Sequence, residues 1–124
     1  MNEAQEKYLT ALRSGAYEQA LGYMVRLDHH GNKTYCCMGV ACDVLDEPVY
    51  VSTLINGLPA IDQLGPKLEN GTVSGQYLPE HVNEALELDP RLNRHMSNWN
   101  DADRLSFDEI ADNLEAIWNE DDNE

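Results

Sequence analysis

The sequence contains few basic residues for its length. Lys and Arg number 8 against 23 Asp and Glu, so the 124 residues carry a formal net charge of −15. The cations are scattered from Lys7 to Arg104 and form no basic stripe. Direct binding of DNA or RNA depends on clustered Lys and Arg that neutralise phosphates. The composition therefore excludes a nucleic-acid-binding protein of the ordinary basic kind.

Several sequence signals of other protein classes are also missing. No apolar run approaches the roughly 20 residues that a transmembrane helix needs. The first residues, MNEAQEKYLTALRSG, carry charges throughout and lack the apolar segment of a secretory signal. Neither G-x4-G-K-[ST] nor G-x-G-x-x-G, the phosphate-binding glycine patterns, occurs. We expect a cytoplasmic protein that has no membrane partner and no cofactor.

The three cysteines lie close together, at Cys36, Cys37 and Cys42. An odd number in so short a segment is not a disulfide framework, which predicts reduced thiols. His29 and His30 lie nearby, but the cysteine spacing lacks the C-x2-C pairs typical of zinc sites. We predict buried, unmodified thiols that behave as small hydrophobic groups, with no metal bound. A catalytic thiol at a helix N-terminus is the alternative.

Apolar residues at three- and four-residue spacing predict most of the secondary structure. The predicted helices cover residues 3–14, 17–24, 35–45, 78–89 and 106–118. The segment 35–45, YCCMGVACDVL, is apolar on nearly every side, so we expect it at the centre of the domain. In this segment Gly39 and Ala41 are small enough to let another backbone approach. The last helix begins with the capping box of Ser106 and Glu109.

Residues 48–76 carry a different pattern. β-Branched and aromatic residues at 49–51 and 53–55 favour a strand or hairpin, and glycines and prolines then predict a loop-rich stretch. The predicted fold is α-rich (α+β), with about four to five helices around a central apolar helix and a small strand or hairpin element in the middle. One globular domain spans residues 1–118. Residues 119–124, NEDDNE, are predicted to be an acidic, disordered tail.

Four segments of the chain resemble a known family. In chain order they read ALRSGAYEQALGYM (11–24), YCCMGVACD (35–43), YLPEHV (77–82) and WNDADRLSFDEIADNLE (99–115), and they cover under half of the chain. The sequence resembles an uncharacterised family of small phage and prophage proteins. That family has the pattern A-L-R-S-G-x-Y-x-Q-x-x-G, then Y-C-C-L-G-V-x-C-D, L-P-x-x-V and L-N-D-x-x-x-S-F-x-x-I-A-D-x-I-E. The chain departs from this pattern at Met38 and at Trp99, where leucine is usual.

The resemblance implies a phage or prophage origin and a shared fold, and it brings no activity. Most of the matching residues have evident structural roles as turns, caps or core residues. The polar ones without such a role are Arg13, Gln19, Asp43, Asn100 and Asp101. Two interpretations stay open: an ion-pair network inside the domain, which we favour, or a ligand-binding site that these residues form with Tyr17.

Our leading hypothesis for function is a small acidic accessory protein of phage type that acts by binding. It would inhibit a host or defence protein through its acidic surface, at a basic nucleic-acid groove, where opposite charge steers association. One alternative is a small-molecule binder that sequesters a nucleotide-like ligand near Arg13 and the tyrosines. The other is a small hydrolase-type enzyme that uses Asp43 or a cysteine. We expect no direct contact with nucleic acid and identify no catalytic residue.

Overall fold

The computed structural model describes residues 1–55, 58–74 and 77–122. Within them lie helices α1 (Glu3–Arg13), α2 (Cys37–Val44), α3 (Glu80–Leu86), α4 (Pro90–Ser97) and α5 (Phe107–Asp122), with a π-helix (Asn98–Ala102) after α4. The strands are β1 (Val25–Leu27), β2 (Lys33–Tyr35), β3 (Val49–Ile55) and β4 (Leu58–Pro66). They form one antiparallel sheet in the order β2-β1-β4-β3. The predicted α+β fold is confirmed. In the described part of the chain, no helix has both the length and the apolar character needed to cross a lipid bilayer.

Helix α2 is the centre of the core, as its apolar sequence predicts. Seven of its eight residues are buried, and Asp43 alone is exposed. The helix is shorter than predicted because Tyr35 belongs to β2 and Cys36 takes an extended conformation just before the first turn. A Cβ atom at Gly39 would overlap the carbonyl oxygen of Met24 and lie 3.0 Å from its carbonyl carbon. The chain entering β1 therefore lies directly on α2, and only glycine fits at the crossing.

Helix α1 is tied to α3 by a buried glutamine. Asn2 caps α1 by accepting a hydrogen bond from the Gln5 amide at 2.7 Å, and the Gln5 side chain accepts one from the Asn2 amide in return. The Gln5 Nε2 also donates to the carbonyl oxygen of Leu86, at the C-terminal end of α3, at 2.9 Å. This side chain satisfies groups at two helix ends that would otherwise lack partners.

The predicted helix at residues 17–24 is wrong. This segment is an irregular strip whose backbone pairs with β2: the Ala20 amide donates to the Tyr35 carbonyl at 2.7 Å, and the Tyr35 amide donates to Glu18 at 2.8 Å. Ala20 and Met24 are buried, so the apolar spacing is real. Gly22 nevertheless has φ +81°, in the left-handed region, where a right-handed helix cannot continue.

The loop-rich interpretation of residues 57–75 is wrong over much of its length. Residues 58–66 form β4, which pairs with β3 along its length and with β1 at Leu64 and Gln63. Pro59 lies on a part of β4 that has only one neighbouring strand, and Pro66 ends the strand. These are positions where a missing amide hydrogen is tolerated. Gly57 and Gly75, which were part of this prediction, lie outside the described residues.

The predicted helix at 78–89 corresponds to α3, which is shorter, and a second helix that was not predicted follows it. Helix α3 ends at Leu86, and α4 begins after Asp89, whose carboxylate accepts a hydrogen bond from the Leu92 amide at 2.7 Å. Pro90 then occupies the first turn of α4, where proline is favoured. The Asp89-Pro90 pair was predicted to end a helix, and in the structure it also begins the next helix, α4. The π-helix that follows α4 was not predicted.

Helix α5 begins as predicted. The Ser106 hydroxyl accepts from the Glu109 amide at 3.2 Å, and the Glu109 carboxylate accepts from the Ser106 amide at 3.1 Å. The helix continues to Asp122 and so includes four residues of the predicted tail. The last two residues of that tail lie outside the described part of the chain. The boundary of the domain at residue 118 stays a prediction.

Replacing Phe107 tests whether α5 packs against the core through this residue. Its side chain is buried in the core beside Ile110 and Leu114, so we expect Phe107→Ala to lower the free energy of unfolding by about 3–5 kcal/mol. Chemical denaturation measures this, with Asp108→Ala on the exposed side of the same turn as control. An unchanged denaturation midpoint for Phe107→Ala would mean that α5 does not pack through this residue.

Candidate functional site

Asn100 lies at the centre of a buried polar network. It belongs to the π-helix, an element that is rare and frequently found at functional sites, and its side chain is 1% exposed. Its Oδ1 accepts hydrogen bonds from Gln19 Nε2 at 2.9 Å and from the Cys37 amide at 3.2 Å. Its Nδ2 donates to the Ala20 carbonyl at 2.9 Å and to Asp101 at 2.7 Å. The carboxamide uses both donors and both acceptor sites.

The network joins three parts of the chain. Gln19 donates a second hydrogen bond to the Leu105 carbonyl at 2.8 Å, and Asp101 accepts one from the Gly22 amide at 2.9 Å. It thus holds the strip before β1 against the start of α2 and against the π-helix. Of the predicted binding residues, Gln19, Asn100 and Asp101 do come together. Because Asn100 has no bonding capacity left, we interpret the network as a structural junction.

Tyr17 and Asp43 form a separate pair. The Tyr17 hydroxyl donates to the Asp43 carboxylate at 2.5 Å, and its ring meets Tyr35 edge-on with centroids 5.0 Å apart. Burial, followed by the hydrogen bond to Asp43, raises the pKa of Tyr17. The hydrogen-bond partner of the Asp43 carboxylate is therefore a phenol hydroxyl. The pair fixes the end of α2 to the segment that follows α1.

Arg13 belongs to neither group. Its guanidinium pairs with Asp112 at 2.7 Å and with Glu115 at 2.7 Å, which links α1 to α5. The pairs are exposed, so each contributes no more than about 1 kcal/mol. Neither Arg13 nor Tyr17 lines the cavities of the groove described below, in contrast to the predicted pocket of Arg13 and tyrosines. Of the six predicted residues, Asp101 alone lines one of those cavities.

The three thiols are buried, as predicted. Burial raises the pKa of Cys36 to about 11, although the nearby backbone amides of Gly39 and Met38 oppose the shift. Burial also raises the pKa of Cys42 to about 12 and that of Cys37 well above its ordinary value. The raised pKa values keep these thiols protonated at neutral pH. Because a cysteine reacts as the thiolate, they are unreactive there. Among the described side chains, no three of His, Cys, Asp and Glu lie close enough to hold a metal ion.

The thiols also predict a pH dependence of stability. Their folded pKa values lie above the unfolded value of about 8.5, so the folded protein retains protons that the unfolded chain has lost. Stability should therefore fall as the pH rises above about 9, and the loss should continue through pH 11.

We also expect the native protein to react with a thiol reagent far more slowly than the denatured protein does. Rapid labelling of all three cysteines under native conditions would contradict their burial.

Comparison with known proteins gives no relative. No protein-family model, curated protein sequence or solved structure matches the chain. The resemblance to phage proteins therefore stays a prediction, and function must be argued from the geometry of this molecule.

One feature of the structure was not predicted as a site. It is a groove between α2, α4 and Tyr77, in which Arg94 and three asparagines line the wall. The capping pair Asp89-Pro90 is the sequence signal that predicts α4 and hence places Arg94 on a helix. We found no sequence signal that brings Tyr77 beside it.

Proposed function

We propose that the protein acts by binding a basic surface of another protein through its acidic face. The acidic face consists of the exposed carboxylates of the π-helix, the turn after it and α5. Its members are Asp101, Asp103, Asp108, Glu109, Asp112 and Glu120. Ten of the chain's carboxylates follow residue 100, and Arg104 is the single Lys or Arg among them.

The observation that carries this proposal is that several carboxylates of the acidic face do not stabilise the helix on which they lie. Asp108 and Glu109 lie in the first turn of α5, where negative charge is favourable, but the last turn contains no basic residue. Carboxylates near a helix C-terminus, such as Glu120, oppose the helix dipole. Arg13, the cation that reaches α5 from α1, compensates only Asp112 and Glu115. The face thus has a net negative charge at some cost in stability.

Such a face suits a partner that normally binds nucleic acid. A groove of Lys and Arg built for phosphates attracts a dense row of carboxylates over several ångströms, which raises the association rate. With the phage resemblance, this favours a host or defence protein in the bacterial cytoplasm as the partner, inhibited because its groove is occupied. We do not propose hydrolase activity. The thiols, as candidate nucleophiles, are protonated at neutral pH, and the Asp43 carboxylate is occupied by a hydrogen bond from the Tyr17 hydroxyl.

The proposal is tested first by identifying the partner. Immobilised protein is incubated with lysate of a bacterial host at low salt and at about 0.5 M sodium chloride, and bound proteins are identified by mass spectrometry. We expect a specific protein with a basic groove that is retained at low salt and lost at high salt, because exposed charges are screened beyond roughly 8 Å at physiological salt. Excess double-stranded DNA should displace it. A partner retained equally at both salt concentrations, and insensitive to DNA, would contradict the proposal.

A further inference from the structure

A groove on the side of α4 is formed by two adjoining cavities that share Met38, Tyr77 and Ser97. The larger cavity has a volume of about 440 Å³, within the range of pockets for small molecules. Met38, Leu78 and Pro90 contribute its apolar surface. The polar residues that line it are Asn83, Asn93, Arg94, Ser97 and Asn98.

Arg94 is an uncommitted cation in an acidic protein. It is exposed, and its guanidinium has no hydrogen bond or ion pair with the described residues. Arg13 and Lys67, by contrast, are engaged: Arg13 pairs with two carboxylates, and Lys67 lies over the ring of Tyr50. Helix α4, PRLNRHMS, contains no acidic residue. The groove therefore offers a guanidinium that is free to pair with an anionic ligand.

Tyr77 supplies an open aromatic surface beside this cation. Its side chain is 66% exposed, whereas that of the next residue, Leu78, is 5% exposed. An exposed ring above an apolar floor favours contact with a second planar ring.

We propose that this groove binds a small molecule that carries a planar ring and a single carboxylate. The ring lies on Tyr77 and the apolar floor, and the carboxylate pairs with Arg94 in the bidentate geometry that guanidinium favours. A net charge of −15 repels anions more strongly as their charge increases, so a monoanion is favoured over a phosphate. Asp101 belongs to the acidic face and also lines the smaller cavity, but the proposed contacts with Tyr77 and Arg94 lie outside that face, and the proposal does not depend on the function proposed above.

The probes are phenylacetate, its neutral analogue phenylacetamide, and adenosine monophosphate, each titrated into the ¹⁵N-labelled protein and followed by NMR. We expect saturable shifts at the amides of Tyr77, Arg94 and Ser97 with phenylacetate. Phenylacetamide should bind roughly tenfold more weakly because it lacks the charge-assisted contact. The absence of saturable shifts with phenylacetate up to about 10 mM would overturn the proposal. Equal affinity for the amide, or tighter binding of the nucleotide, would overturn it as well.

A matched pair of variants locates the carboxylate. Arg94→Gln removes the proposed contact, and Arg91→Gln makes the same change one turn away on the exposed surface of α4, outside the residues that line the groove. We expect the first to weaken phenylacetate binding roughly tenfold and the second to leave it within about twofold. Neither should alter the fold, since both side chains are exposed. Equal losses in the two variants would show that the effect is general electrostatics and that Arg94 is not the contact.

Discussion

Replacing Gly39 by alanine is expected to destabilise the protein by at least about 3 kcal/mol, a large part of the roughly 5–15 kcal/mol that stabilises a small domain. In an ordinary helix interior the same change adds about 1 kcal/mol of stability, because glycine is a poor helix former. Here the new methyl group would overlap the carbonyl oxygen of Met24 and lie 3.1 Å from Val25. The obstructing atoms are mostly backbone, so no side-chain rotation relieves the overlap.

The measurement is the free energy of unfolding from urea denaturation of both proteins. Ala116→Gly, on the exposed side of α5, serves as the control, since it reports helix propensity alone and should cost about 1 kcal/mol. A Gly39→Ala protein as stable as the unchanged chain would mean that α2 and the strip before β1 are farther apart than described. The packing of the central helix would then have to be revised.

The change Asn100→Asp should cost about 3–5 kcal/mol at neutral pH. The new carboxyl group would replace the amide that donates to Ala20 and Asp101. It would face a carbonyl oxygen and a second carboxylate with no donor between them. Gln19 and the Cys37 amide would still donate to one oxygen of the new group. A buried anion whose other oxygen faces two acceptors is nevertheless strongly unfavourable, so the folded-state pKa of the new group should lie above its unfolded value.

This pKa shift gives the variant a diagnostic pH dependence. A carboxyl group whose folded pKa is raised destabilises the protein when it is ionised, so the difference between the variant and the unchanged protein should shrink as the pH falls through that pKa. Asn98→Asp, at an exposed position of the same π-helix, is the control and should show little of this dependence. If Asn100→Asp unfolds with the same free energy as the unchanged chain from pH 5 to 8, Asn100 is not the junction that we describe.

The parts of the fold that follow from local rules were predictable from sequence. The Ser106–Glu109 capping box and the apolar stripe behind it define the start of α5, and the apolar character of residues 37–44 places α2 in the core. Gly39 was expected to permit close approach of another backbone, and the structure identifies that backbone as Met24. Each of these conclusions needs only residues within one or two helical turns.

The incorrect predictions concern segments whose conformation depends on pairing with residues far away in the sequence. Residues 17–24 have helical spacing, but their backbone groups bond to Tyr35 and Asn100, and Gly22 turns the chain out of any helix. Strand β4 contains glycine and proline, which favour loops locally, and it is held by β3 and β1 on its two sides. Sequence spacing alone cannot reveal such partners.

The candidate site was predicted in part. Gln19, Asn100 and Asp101 are polar residues without local roles, and they do come together, although as a saturated junction. Arg13 was included for the same reason but pairs with α5, because the packing of α1 against α5 places it beside Asp112. The groove at Arg94 was missed, since α4 itself was not predicted.

The acidic face is tested most directly by comparing the affinity of the identified partner for two triple variants of equal charge. The first variant combines Asp103→Asn, Asp108→Asn and Glu120→Gln, three exposed side chains of the face with no hydrogen bond or ion pair among the described residues. The second combines Glu18→Gln, Asp46→Asn and Glu84→Gln, exposed carboxylates elsewhere. We predict that the first loses affinity at least roughly tenfold and shows a shallower dependence on salt, while the second changes little. Equal affinities and equal salt dependence for the two variants would contradict the account.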